Sequence, residues 1–104
     1  MENKTDTQVI ERVKIDTSIE PPSKYSVVYI NDNTTTVEFV VESLITFFGY
    51  TELDSLNMAE TINDKGEAIA ATHQSEEYAQ YLSNIVMQAA RSMNYPLVVE
   101  VREE

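Results

Sequence analysis

The spacing of apolar positions changes character several times along the chain. From Tyr25 to Ile30 β-branched and aromatic residues run together (YSVVYI), which predicts a strand. From Val37 the period lengthens: Val37, Val40, Val41, Leu44 and Phe48 share one helical face. Thr35 and Glu38 have the spacing of a capping box, and Gly49 is a suitable left-handed terminator. A second helix is expected over Leu53–Ile62, capped by Thr51, with Leu53, Leu56, Ala59 and Ile62 recurring every third residue. Asn63-Asp64-Lys65-Gly66 then turns the chain into a weaker, alanine-rich strand, Glu67–Thr72. Ser75 caps a third helix whose stripe is Tyr78, Leu82, Ile85, Val86, Ala89 and Met93. Asn94-Tyr95-Pro96 stops it, and Leu97–Val101 reads as the last strand. The order β-α-α-β-α-β predicts a two-layer α+β domain with three helices packed on one face of a small sheet.

Ahead of this pattern, residues 1–20 mix charges with few large apolar residues, and Pro21-Pro22-Ser23 follows. Residues 1–23 therefore read as a flexible tail and a stiff junction, and residues 24–104 as the folded domain. A short helix over Gln8–Lys14 is the alternative for the tail. The polar start MENKTDTQ lacks the apolar core of a secretory signal, and no stretch approaches the ~18–20 apolar residues of a membrane span.

Composition narrows the partners. A net charge of −11 disfavours nucleic acid and anionic membrane surfaces, and favours cationic groups. The simpler reading of that charge is solubility. With no cysteine there is no disulfide and no thiolate metal site, which suits a reducing, cytoplasmic setting. The single histidine, His73, cannot make a zinc site alone and reads as an exposed loop residue. Nothing in the sequence calls for a cofactor. There is no Gly-rich phosphate loop, no C-x-x-C and no H-E-x-x-H, so an enzyme is not expected.

One segment exceeds its structural need. Asn31-Asp32-Asn33-Thr34-Thr35 joins the first strand to the first helix, and one threonine would suffice as the cap. Two amide oxygens and a carboxylate are good acceptors for an ammonium group, which has three donors and no acceptor. An Asx turn that merely reverses the chain is the simpler alternative.

The stretch PPSKYSVVYINDNTTTVEFVVESLITFFGY, with GEAIA after it and YPLVVEV near the end, resembles the ClpS family of N-end-rule adaptors over residues 21–102. The resemblance implies three antiparallel strands with three helices. It implies a non-enzymatic monomer that binds N-degron peptides, whose first residue is bulky and apolar, and delivers them to a Clp-type AAA+ unfoldase of the ClpA or ClpC kind. By position, the family's amine-gripping pair falls on Asn31 and Asp32. Asn63 stands where the family commonly has histidine. Thr35, Val37, Val40, Ala59, Ile62 and Leu97 fall on the side-chain pocket, with Val37 and Ala59 smaller than the usual residues. Smaller walls imply that N-terminal Ile or Val could enter beside Leu, Phe, Tyr and Trp. Glu77 matches an acidic unfoldase-docking position, the nearby family lysine aligns near the core residue Leu82, and one extra residue falls in Thr72–Ser75. The competing expectation is a decoy or regulator that docks on the unfoldase without carrying N-degrons. A third reading is a domain that shares this architecture, such as the ribosomal stalk protein's C-terminal domain, and the Asn-Asp-Asn turn argues against it.

Overall fold

The computed structural model describes residues 24–104. The expectations for residues 1–23, tail or short helix, lie outside the described residues. The elements are β1 (Tyr25–Ile30), α1 (Val37–Phe48), α2 (Glu52–Lys65), β2 (Glu67–Gln74), α3 (Glu76–Ser92) and β3 (Val98–Glu103). The three strands form one antiparallel sheet in the order β2-β1-β3, so the most apolar strand takes the centre. Val27 and Tyr29 of β1 and Val99 of β3 point into a core completed by Val40 and Leu44 of α1, Ile62 of α2, and Leu82 and Val86 of α3.

The buried hydroxyls are tied to that core. Ser43 Oγ donates to the Val40 carbonyl at 2.8 Å, which leaves it to accept from the Tyr29 hydroxyl at 2.7 Å. Burial is the main reason the Tyr29 phenol is held far above its ordinary pKa. Ser83 Oγ on α3 donates to the Val99 carbonyl at 2.6 Å, and Tyr50 Oη donates to the Ala70 carbonyl at 2.6 Å. The buried Ser55 hydroxyl has no partner among the described residues.

Opposite the helices, the sheet is roofed by a side chain. Arg102 on β3 reaches Glu67 on β2 through two hydrogen bonds of 2.8 and 2.9 Å, and also holds Glu100. Because β1 lies between those strands, the guanidinium crosses it. Val28, on that face and in register with Glu100, is only 1% exposed.

Several boundaries and faces differ from the sequence expectation. α2 runs from Glu52 to Lys65, three residues beyond Ile62, ending on Gly66 at φ 87°, whose N–H donates to the Ile62 carbonyl. β2 extends to Gln74 because its pairing with β1 continues through two register shifts. One of these bulges falls at Thr72–His73, and His73 there has φ 58°. His73 is therefore exposed but sits at the end of a strand, not in a loop. β3 starts one residue later than expected, at Val98, and runs to Glu103 because Tyr25 still pairs with that residue. The N-cap of α1 is Thr36, which accepts from Phe39 N–H at 3.1 Å, and not Thr35. Thr35 is unavailable because Asp32 binds both its N–H and its hydroxyl. Leu53, Leu56, Tyr78 and Met93 are exposed, while Ser55, Ala79, Ser83 and Ala90 take the inward positions.

Candidate functional site

Three pieces of chain converge where β1 ends. Asn31 N–H donates to the Gly66 carbonyl at 2.9 Å. That bond sets the exit of β1 against the last turn of α2, so Asn31 and Asn63 border one hollow. Asp32 then shapes the turn: Oδ1 accepts from Thr34 N–H and Thr35 N–H, both at 2.7 Å, and Oδ2 accepts from Thr35 Oγ at 2.8 Å. The chain is reversed into α1, whose first exposed turn carries Val37.

The hollow encloses about 290 Å³. Asn31, Asp32, Asn33 and Thr35 line it from the turn, Val37 and Val40 from α1, and Ala59, Ile62 and Asn63 from α2. On α2 the last three are spaced i, i+3, i+4, which places them on one helical face. A smaller void of about 20 Å³ shares Asn31, Asp32, Thr35, Val40 and Ile62 with the hollow and is floored by Leu97. Eight of the nine residues carried over for amine and side-chain recognition thus meet in the main hollow. Leu97, buried in the core, lies beneath it. Asn33, which the sequence marks as one of the turn's surplus acceptors but which the family resemblance does not carry over, joins them. The volume is at the lower end of the ~300–1,000 Å³ of small-molecule pockets, which suits one side chain and its attached amine.

The electrostatics favour a cation. Partial burial opposes charge on Asp32, but the hydrogen bonds from Thr35 and Thr34 and the positive charge of Arg91 outweigh it, holding its pKa below the usual carboxylate value. An ionised carboxylate offers about four lone-pair directions, of which the turn uses three. One direction on Oδ2 remains, in a hollow that Asn31, Asn33 and Asn63 also line. The positive end of α1 is quenched by Thr36 and Asp32, whereas the negative end of α2 adjoins the hollow through Asn63. The deeper wall, Val40, Ala59 and Ile62, is buried and apolar. A donor-only cation attached to a hydrocarbon group is the chemistry this arrangement complements.

Arg91 supports the floor. Its Nη1 donates to the carbonyls of Tyr95 and Leu97 at 2.9 and 2.8 Å, fixing the turn that leads into β3. No local pattern around Arg91 signals this role, because the contact closes through the tertiary fold. Glu77 lies apart from the hollow, exposed in the first turn of α3, beside Tyr78 and Tyr81, whose rings stack at 6.0 Å. Among the described residues no group of three or more His, Cys, Asp or Glu is placed to hold a metal. No helix among them is long and apolar enough to cross a membrane.

Comparison with known proteins adds an independent line. The family model described as "ATP-dependent Clp protease adaptor protein ClpS" matches residues 20–100. A Campylobacter jejuni ATP-dependent Clp protease adapter protein ClpS is 35% identical over 99 residues, 94% of this chain and 97% of that protein. The protein of the same description from Edwardsiella ictaluri is 35% identical over 81 residues, 78% of this chain and 76% of its own length. Among solved structures, Agrobacterium tumefaciens ClpS2 bound to L-phenylalaninamide superposes with a TM-score of 0.77 at 23% identity, over 81% of this chain and all of that one. This last likeness shows a shared fold of three helices and a three-stranded antiparallel sheet.

Proposed function

The chain belongs to the ClpS family of ATP-dependent Clp protease adaptors, and we propose that it binds N-degrons and carries them to a Clp AAA+ unfoldase. The observation that carries this reading is the hollow at the end of β1, where an ionised carboxylate and three amides rim an apolar wall. The α-ammonium of the bound chain lodges against Asp32, Asn31 and Asn63, and the first side chain fills the space between Val40, Ala59 and Ile62. Thr35, tied to Asp32, holds the anchor still. Asn63 accepts from the ammonium as a neutral amide, so the amine site contains no group that titrates near neutral pH. A Leu- or Phe-headed ligand gains about 0.8 kcal/mol for each methylene it buries.

The partner that crosses from adaptor to protease meets a second surface, where Glu77 stands beside the exposed Tyr78–Tyr81 stack. An acid next to aromatic faces fits a cationic protein surface. On this reading the adaptor acts as a cytoplasmic monomer and consumes nothing itself.

Fluorescence anisotropy tests the binding step. Leu- and Phe-headed peptides should bind, and N-acetylation should abolish binding by removing the charge and two donors. Retained affinity of the acetylated peptide defeats the reading. Delivery is tested by ATP-dependent degradation of a Leu-headed reporter by a Clp protease: an adaptor raises the rate for that reporter, whereas a decoy lowers the rate for every substrate. Val37 at the mouth and Ala59 in the wall are small, so Ile- and Val-headed peptides should bind as well. Undetectable Ile and Val binding, with Leu and Phe bound normally, removes that extension and leaves the rest.

A further inference from the structure

The first turn of α1 has a hollow on each side. On the side away from the amine site, α1 and α3 enclose a groove of about 490 Å³. Its floor is Phe39, edge-on to Tyr95 with ring centroids 5.5 Å apart, continued by Ala89 and the exposed Met93. Glu38 and Glu42, one helical turn apart, form its rim, and Thr36 is its end nearest the amine site. Thr35 and Val37 line the first hollow while Thr36 and Glu38 line the second, so one turn of helix is all that separates them.

We infer that this groove is a second subsite for the same ligand, and that it takes about the third to fifth residues of the bound chain, with a preference for lysine or arginine there. The inference rests on the N-degron reading above. A helix with its side chains is about 10–12 Å across, and an extended chain advances about 3.3–3.6 Å per residue. A chain anchored by its first residue that leaves over the exposed Val37 therefore needs two or three residues to reach the groove. Charge selects what rests there. Neither Glu38 nor Glu42 has an ion-pair partner among the described residues. Arg91 on α3 is committed to the carbonyls of Tyr95 and Leu97. A long basic side chain can lay its hydrocarbon stem on Phe39 and Met93 and its charge between the two glutamates.

The test uses the full chain at low salt and peptides that share the first two residues, Leu-Ser, and carry three lysines or three glutamates next. Leu-amide serves as the one-residue reference. Each exposed pair contributes little, so two together predict that the lysine peptide binds about fivefold more tightly than the glutamate peptide. The double variant Glu38→Gln/Glu42→Gln should bring that ratio near one and leave Leu-amide affinity unchanged. Glu52→Gln/Glu60→Gln, the same charge change on α2, should leave the ratio intact. Met93→Ala should weaken both long peptides by about the same small factor and leave Leu-amide alone. Overturning results are a ratio near one in the natural chain, or a ratio that falls equally in both double variants, which assigns it to net charge alone. If Leu-amide itself fails to bind, the N-degron reading falls and takes this one with it; if Leu-amide binds and the ratio is one, only the groove is lost.

Discussion

The two ends of β1 are closed by similar devices with different surroundings. At the far end, Glu104 accepts from His73 N–H at 2.7 Å and Ser26 Oγ at 2.8 Å, and pairs with His73 Nδ1 at 3.0 Å. At the near end, Asp32 accepts two backbone N–H groups and the Thr35 hydroxyl. Both carboxyls are held below their ordinary pKa, Glu104 chiefly by the His73 N–H, and Asp32 by its turn and Arg91 against partial burial. A depressed pKa thus marks a staple as readily as a site. What separates the ends is the neighbourhood: Asp32 borders a hollow with an apolar wall and three amides, a hollow that Glu104, at the other end of the strand, does not line.

Exchanging the two carboxylates for alanine is the sharpest way to break that comparison. Asp32→Ala should lower affinity for a Leu-headed peptide at least about 10-fold, because a charge-assisted hydrogen bond contributes about 1.5–3 kcal/mol. Asn31→Ala should cost less, since it removes a neutral acceptor. Glu104→Ala should lower the melting temperature and leave affinity unchanged. Titration calorimetry alongside thermal melts reads all three, and an affinity loss in Glu104→Ala equal to that in Asp32→Ala would erase the distinction.

Arg91→Met sharpens it further. The change unties the Tyr95 and Leu97 carbonyls and removes positive charge from the vicinity of Asp32. Affinity should fall a few-fold, and the loss should depend on the first residue, because Leu97 floors the void below the hollow. Equal losses for Leu- and Phe-headed peptides would mean that Arg91 acts through the amine site and not through the floor, and an unchanged affinity with a lower melting temperature would assign it to stability alone.

The smallest effect concerns pH. Both carboxyls have folded pKa values below their unfolded ones, so their stabilisation is present above the ordinary carboxylate pKa and is lost as pH falls through the folded values. Peptide binding should follow Asp32 at the acid end and the peptide's own α-amine, near pKa ~8, at the other. Between about pH 5 and 7 affinity should be flat. His73, the one histidine, is bonded to Glu104 at the opposite end of β1, so a step in affinity within that interval would implicate a group outside the hollow.

Much of this was legible in the chain because it is encoded locally. Thr51 and Ser75 cap the helices expected of them, Gly49 and Gly66 take left-handed conformations, and β1 is the segment YSVVYI. The faces of α2 and α3 were less legible. A step of three residues turns a helix by about 300°, so a stripe built only from such steps drifts, and Leu53 ends about half a turn from Ile62. Leu53 is accordingly exposed, and the small residues Ser55 and Ala59 pack inward in place of leucines. On α3, Ala79, Ser83 and Ala90 likewise hold the inner face, where a search for large apolar residues picks Tyr78. Val37 has the right phase for its stripe and is still 55% exposed, because the first turn of α1 overhangs the hollow. The choice of Thr36 over Thr35 as cap depended on where the Asp32 carboxylate points, which a run of three threonines does not encode.

On the proposed reading, in which the ligand is an extended polypeptide, the bulges in β2 have a consequence. Two slips in register and a left-handed His73 bend the outer margin of the sheet, so a straight segment laid beside it soon loses step with its N–H and C=O groups. On the opposite margin, β3 carries the charged residues Glu100, Arg102 and Glu103 among its valines. A chain held by its tip, as proposed, would therefore not anneal along its length, and what is gripped at one point can also be let go.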